Sequence, residues 1–423
     1  MLVVGAGPAG MTAALAAAEA GAHVVLLEHL DRLGAKLLAT GGGRCNLTTT
    51  LGAAEIMARF GRQGRFMGPA LAALGPAALR ALLASLGVPT HAPDGLHVYP
   101  ASESARDVRK ALQRRLRDLG VEVRTAVRAA GLWIDGGRLA GLVTAGAGRV
   151  RAGRVILATG GRSYPDLGAT GDGYDLARAA GHAIVEPVPA LVPLLTREAW
   201  PRDLAGVAVP AARVWIDLPR AGRAGSRGDL LFTHRGLSGP AVLDLSGDVA
   251  ALLARRPFDD AQGRPEPVEG RPTVPICLDF APGTSEGGWL ARLDAWAAEG
   301  GAKTVAALLA NWIPRRLAGA LCGLAGAGPS VRPGQMPRAA RRALAAALAA
   351  ARLEVTGTEG FERAMVTRGG VALKDVDPAT LQSRRLAGLF FAGELLDLDG
   401  PCGGFNLQWA FSSGHLAGRA AAR

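Results

Sequence analysis

Gly5-Ala6-Gly7-Pro8-Ala9-Gly10 sets three glycines at the spacing of a turn that cradles a pyrophosphate. In such a turn the first glycine permits the reversal and the second lets a phosphate approach the backbone. The third lets a helix pack tightly on its strand. A helix opening at Pro8 and Ala9 would aim its free N–H groups at the phosphates. Glu28 follows Gly10 by 18 residues. An acid there accepts hydrogen bonds from ribose hydroxyls and repels a 2′-phosphate. A second glycine-rich run, Thr40-Gly41-Gly42-Gly43-Arg44-Cys45-Asn46, comes soon after Lys36. It suits an extended ligand whose far end meets the backbone closely. Ala158-Thr159-Gly160 ends a further apolar run in the manner of a nucleotide-site strand.

These residues need alternating strands and helices to hold them. Apolar periodicity predicts a strand over 2–4, a helix from 9 to about 20 and a strand over 23–27. Helical spacing recurs over 76–86 and 104–119. Short strands are expected at 121–127, 131–134 and 139–143, with Asp135-Gly136-Gly137 as a hairpin turn. A buried strand is expected over 155–158. Pro187, Pro189 and Pro193 mark a crossing into a second domain. Residues 204–247 read as strands and turns, and 289–352 as mostly helical, ending in a helix over 337–352. The chain then returns to a strand at 389–392 and a helix at 408–422. The expected organisation is a first part at 1–188, an inserted domain at 189–363 and a closing part at 364–423. Within the insert, 189–280 is β-rich and 285–352 helical. Residues 255–272, rich in Pro, Gly and charge, are expected to be a mobile surface insertion.

Composition narrows the function classes. Of 423 residues, 49% are apolar, which excludes disorder for most of the chain. Four scattered cysteines, at 45, 277, 322 and 402, form neither a disulfide framework nor a CxxC metal site, and no metal is expected. The net charge is +12, yet only Lys36, Lys110, Lys303 and Lys374 among the 48 basic residues are lysine. No block of five like charges occurs, so nucleic acid is not an expected partner. The apolar start lacks a basic leader and is broken by glycines and Pro8, so a soluble, cytoplasmic protein with no membrane association is expected. The oligomeric state is left open.

On these motifs the chain resembles the two-dinucleotide-fold flavoproteins, specifically the aminoacetone oxidase-like or BaiN-like NAD(P)/FAD-dependent oxidoreductases. The matching stretches run in order along the whole chain: 5–10, 34–48, 158–182, 231–246 and 388–418. The resemblance implies an α/β fold whose discontinuous, Rossmann-like FAD domain carries an inserted β-barrel-like and helical domain. It implies FAD as cofactor, with Gly5, Gly7, Pro8, Ala9 and Gly10 at the pyrophosphate and Glu28 at the ribose. Lys36, Gly42, Gly43, Arg44, Cys45 and Asn46 would lie along the ribityl and ring end. Val127, in the strand before the hairpin, would meet the adenine through its backbone. Ala158, Thr159 and Gly160 would join the site, as would Gly393 and Glu394 near the pyrophosphate and ribityl, and Gly404, Phe405 and Asn406 at the ring. Relatives carry more residues ahead of the first glycine, so the short first strand predicts weaker FAD retention than is usual in the family.

Hydride transfer to or from flavin needs a proton donor or acceptor only where the substrate also exchanges a proton. His234, in the FTHRGLSGP segment, and Tyr164, beyond the ATGG strand, are the candidates. Cys45 and Cys402 read more readily as packing residues. No second GxGxxG occurs in strand–turn–helix context, so NAD(P)H is expected as a transient electron donor rather than the tenant of its own domain. The expected activity is hydride exchange between FAD and a small or mid-sized organic substrate. The alternatives are a flavin amine oxidase using O₂, a fumarate-reductase-like flavoprotein and an RNA-associated flavoprotein.

Overall fold

The computed structural model describes residues 1–146, 148–219, 225–254 and 273–423. The expected insertion at 255–272 lies outside them. The chain divides into two compact units, Met1–Val188 with Met365–Arg423, and Pro189–Ala364.

The first unit is built on a five-stranded parallel sheet. Its order across the sheet is Leu389–Phe391, Val155–Leu157, Leu2–Val4, Val25–Leu27 and Glu122–Arg124. Leu2 pairs with Val155 on one side and Val25 on the other, so the first strand is central. All three of its residues are buried, as are those of its two neighbours, which explains their unbroken apolar runs. The chain winds away from the central strand in both directions, which opens a crevice at the carboxyl ends. The helix Pro8–Glu19 packs against the C-terminal helix Phe405–Ala422 with almost no space between the backbones. A Cβ on Gly414 would fall 2.2 Å from Ala9 O, and one on Gly418 would fall 2.2 Å from Ala13 O.

The unit also holds two three-stranded antiparallel sheets. One is the meander Ala129–Asp135, Arg138–Thr144 and Gly148–Arg151, turned at Gly136 and Gly137 as expected. The other is a ribbon of Thr48–Thr49, His97–Pro100 and Thr90–His91. The apolar stretch Gly61–Ser85 has the length and composition of a membrane span, but a break at Leu74 and Gly75 divides it. Leu71, Leu79 and Leu83 from it are buried in the core.

The second unit is a closed six-stranded antiparallel barrel with helices. Its order is Leu194–Thr196, Gly236–Ser238, Ser226–Phe232, Ala208–Ile216, Val274–Asp279 and Ala351–Thr358. The expectation of strands and turns through 247 is corrected here, because Pro240–Ala254 is a helix. Its run of Ala, Val and Leu reads equally as strand until its length decides for helix. Arg352 likewise ends no helix. The helix stops at Ala350, and Arg352 pairs with Cys277 in the barrel.

Candidate functional site

A long cleft opens at the carboxyl ends of the parallel strands, entirely within the first unit. Three glycines shape its floor for three different reasons. Gly5 takes φ +94°, and a Cβ there would meet Ala158 O at 2.5 Å. A Cβ on Gly10 would fall 1.8 Å from Gly5 O, so that position is closed to side chains. Nothing lies within 4 Å of where a Gly7 Cβ would point, and Gly7 lines the cleft. Gly7 also precedes the helix Pro8–Glu19, whose first turn has no side-chain cap and no acidic residue. Its free N–H groups and positive dipole make an anion site of this end.

Glu28 follows the second strand and is buried. Its Oε2 accepts from Ala6 N at 2.7 Å and its Oε1 from Leu30 N at 3.0 Å. A carboxylate has about four acceptor positions, so each oxygen can still receive a hydroxyl from the cleft that Glu28 lines. Val127 lines the same end, but not from within a strand. The strand ends at Arg124, and Ala126 turns at φ +56°. The Val127 N–H consequently donates to Glu28 O at 2.9 Å. The Val127 N–H thus braces the acid beside it.

Further along, four side chains converge. Lys36 Nζ donates to Glu394 Oε2 and to Ser163 Oγ, both at 2.6 Å. Ser163 Oγ donates to Glu394 Oε1 at 2.8 Å. That oxygen also accepts from Thr367 N at 2.9 Å, and Thr367 Oγ1 accepts from Arg162 N at 2.8 Å. Gly161 must lack a side chain for this to close, since a Cβ there would fall 2.3 Å from Thr367 Oγ1. Thr159 lines the cleft beside them, and its hydroxyl is buried without a partner. That hydroxyl turns toward the helix Asp172–Ala179, where a Cβ on Gly173 would fall 2.0 Å from it. Tyr174, buried beneath with its hydroxyl also unpartnered, is held protonated because burial pushes its pKa up.

Of the expected residues, Gly5, Gly7, Pro8, Ala9, Glu28, Lys36, Val127, Ala158, Thr159, Gly160, Gly393, Glu394 and Asn406 line the cleft. Gly10, Gly42, Gly43, Arg44, Cys45, Asn46, Gly404 and Phe405 stand behind or beyond it. Cys45 is fully buried, and burial pushes its thiol up to about 12, so it packs rather than reacts. Arg44 turns outward, 2.6 Å from Glu103 and 4.3 Å above the Tyr99 ring. The Phe405 ring packs edge-on to Phe60 in the core. Asn406 ties its own loop, accepting from Gly400 N and donating to Gly400 O, both at 2.8 Å. Tyr164 is half-buried at φ +57° and is not among the cleft residues. His234 occupies an exposed turn of the second unit, in which Thr233 Oγ1 accepts from Arg235 N and Gly236 N.

Ser163, Thr367 and a histidine–aspartate pair were not among the expected residues. Ser163 was within reach, because it lies only two residues beyond Gly161. Thr367 is placed by tertiary folding alone, 204 residues from Ser163. In the pair, His97 Nδ1 lies 2.5 Å from Asp94 Oδ2, and Asp94 Oδ1 accepts from Leu96 N and His97 N. The His97 hydrogen bond holds the Asp94 carboxyl well below the usual range.

Comparison with known proteins agrees with this geometry. The family model described as HI0933-like protein Rossmann domain matches residues 1–420. A 3-dehydro-bile acid delta(4,6)-reductase of Clostridium scindens is 34% identical over 422 residues, covering 99% of this chain and 98% of the relative. A ribosomal RNA dihydrouridine synthase of Escherichia coli is 30% identical over 420 residues, covering 97% and 95%. Among solved structures, the open conformation of a flavocytochrome c3 fumarate reductase superposes with a TM-score of 0.51 at 20% identity. It covers all of this chain and 77% of that one, a likeness of fold.

Proposed function

The chain belongs to the HI0933-like Rossmann-domain family, and from that premise we propose that it reduces a carbon–carbon double bond conjugated to a carbonyl, with NAD(P)H as electron source. The chain is an FAD-dependent oxidoreductase. One observation carries the finer reading: two relatives of similar identity bear names that describe one bond change. A delta(4,6)-reductase acting on a 3-dehydro compound saturates double bonds conjugated to a ketone. Dihydrouridine is uridine whose ring double bond, conjugated to a carbonyl, has been reduced.

The residues of the cleft fit FAD. The uncapped end of Pro8–Glu19 and the open space over Gly7 would hold the pyrophosphate, and Glu28 the ribose hydroxyls. The Lys36–Glu394 pair would serve the middle of the ligand. Bound FAD supplies the hydride chemistry that no side chain can. The start of Phe405–Ala422, capped by Gly404 without a side chain, contributes N–H groups and a positive dipole where negative charge must be held.

The name of the higher-identity relative supports a small or mid-sized polycyclic enone as the substrate. FAD-loaded protein given NADPH or NADH and a 3-oxo-4-ene steroid, without oxygen, should yield a product heavier by two hydrogens. Absence of any saturated product from a panel of conjugated enones would refute this substrate class.

A second reading sends the same chemistry to a uracil in ribosomal RNA. It is favoured by the Escherichia coli relative and by the net charge of +12. It requires RNA binding that weakens steeply with salt, and dihydrouridine in ribosomal RNA that vanishes when the gene is deleted. Unchanged dihydrouridine in the deletion strain would eliminate it.

A further inference from the structure

We propose that the Arg128–Asp172 ion pair is a bar across the adenosine end of the cleft, so that adenosine enters or leaves only when the pair has parted. The inference rests on FAD occupying the cleft as proposed above.

The order of the strands makes the pair a bridge. Leu2–Val4 and Val25–Leu27 lie side by side between Val155–Leu157 and Glu122–Arg124. Three strand spacings separate the outer two of these four, about 14 Å. Yet the segments that leave their carboxyl ends meet, with Arg128 Nη1 3.0 Å from Asp172 Oδ2. Between them the two segments therefore span the ends of the inner strands, where the Gly5–Gly10 turn and Glu28 stand. The chain from Ala158 to Asp172 also touches the wall it crosses. A Cβ on Gly168 would fall 3.0 Å from Leu30 Cδ1 and 3.1 Å from His29 Cε1, the residues that follow Glu28.

Both partners belong to the cleft itself. Leu167, Ala169 and Asp172 line it together with Glu28, Val127 and Arg128. Glu28 would meet the ribose and Val127 the adenine, so the pair stands at the adenosine end. Each backbone is anchored. Asp172 opens the helix Asp172–Ala179, where an acid is favoured by the positive end of the helix. The loop before it is a built turn: Leu167 N donates to Tyr164 O and Gly168 N to Pro165 O, both at 2.9 Å. Arg128 directly precedes the meander strand Ala129–Asp135. The pair can therefore part by rotation of its side chains while the sheet stays in place.

The strength of the pair suits a bar that opens in ordinary use. The Arg128 and Asp172 side chains are 52% and 34% exposed, so water screens their attraction and an exposed pair of this kind breaks readily. A buried pair would resist parting far more strongly. The bar therefore slows passage without sealing the cleft. It slows entry and exit alike, because the same contact must break in both directions.

The test is the rate of FAD release and of FAD uptake, both followed by flavin fluorescence. Release is read on the flavin-loaded protein in an excess of ADP, and uptake on mixing FAD with the flavin-free protein. Arg128→Gln and Asp172→Asn should each speed release and uptake together by about two- to fivefold, the scale of one exposed ion pair, leaving the Kd for FAD unchanged. The double variant should be no faster than either single one, because the two side chains form one contact. Faster release with unchanged uptake would make these residues contacts of the bound ligand and overturn the inference. Effects that multiply in the double variant, or rates that coincide with wild type, would overturn it as well, with FAD binding left intact. A chain that takes up no FAD would instead overturn the reading beneath it, and the inference with it.

Discussion

Lys36 and Glu394, 358 residues apart in the chain, meet at 2.6 Å across the cleft. Their side chains are only about a fifth exposed, and Ser163 bonds both partners. The contact ties the glycine-rich loop near the start of the chain to its returning C-terminal segment. Glu394→Gln should loosen that tie while keeping the shape, leaving Lys36 with a neutral partner. The expected cost is about 1–3 kcal/mol, measured by urea unfolding, together with weaker FAD retention. Unchanged stability and retention would show the pair to be incidental.

The glycines of the first turn should separate fold from ligand. Gly10→Ala puts a Cβ 1.8 Å from Gly5 O, an overpacking expected to cost at least about 1–3 kcal/mol. Gly7→Ala meets no protein atom within 4 Å, so the fold should stand while the space for phosphate is taken. Thermal melts of the two apoproteins, beside FAD titrations, should show the first variant unstable and the second stable but flavin-poor.

Gly414 tests the helix pair behind the cleft. Its replacement by Ala drives a Cβ to 2.2 Å from Ala9 O, and Ala9 belongs to the pyrophosphate turn. Separation of the two helices should lower the melting temperature by several degrees, roughly what 1–2 kcal/mol gives in a domain of this size. It should weaken FAD binding at the same time, although Gly414 is not among the cleft residues.

The Gly5–Gly10 turn, Glu28 and the Ala158–Gly160 strand end are local signals: each is set by a strand end and the few residues after it. Their placement in the cleft follows from the parallel sheet. Cys45 and Phe405 carry the same motif signal, yet packing turns both into the core. Val127 falls outside its expected strand because Ala126 adopts a left-handed turn that composition does not announce. Thr367 had no motif at all, since only the folded chain brings it to Ser163 and Glu394.

His182 sets a pH dependence of stability. Ser383 Oγ accepts from Arg385 N and Leu386 N, so its single hydrogen donates to His182 Nε2 at 2.7 Å. His182 is then the neutral tautomer with Nδ1–H buried and unpartnered, and burial lowers its pKa from 6.5. The unfolded chain binds this proton more readily than the folded one. Stability should therefore fall as pH drops below about 6.5, until the folded pKa is passed. His182→Gln should flatten that part of a urea-midpoint profile. An unchanged profile would assign the acid sensitivity elsewhere.

The most direct measurement is the absorbance spectrum of the purified protein, titrated without oxygen first with NADPH or NADH and then with a conjugated enone. A flavin spectrum that bleaches with the nucleotide and returns in proportion to added enone is the predicted result. No flavin after FAD is supplied, or a reduced flavin that oxygen reoxidises but no conjugated carbonyl does, would contradict the account.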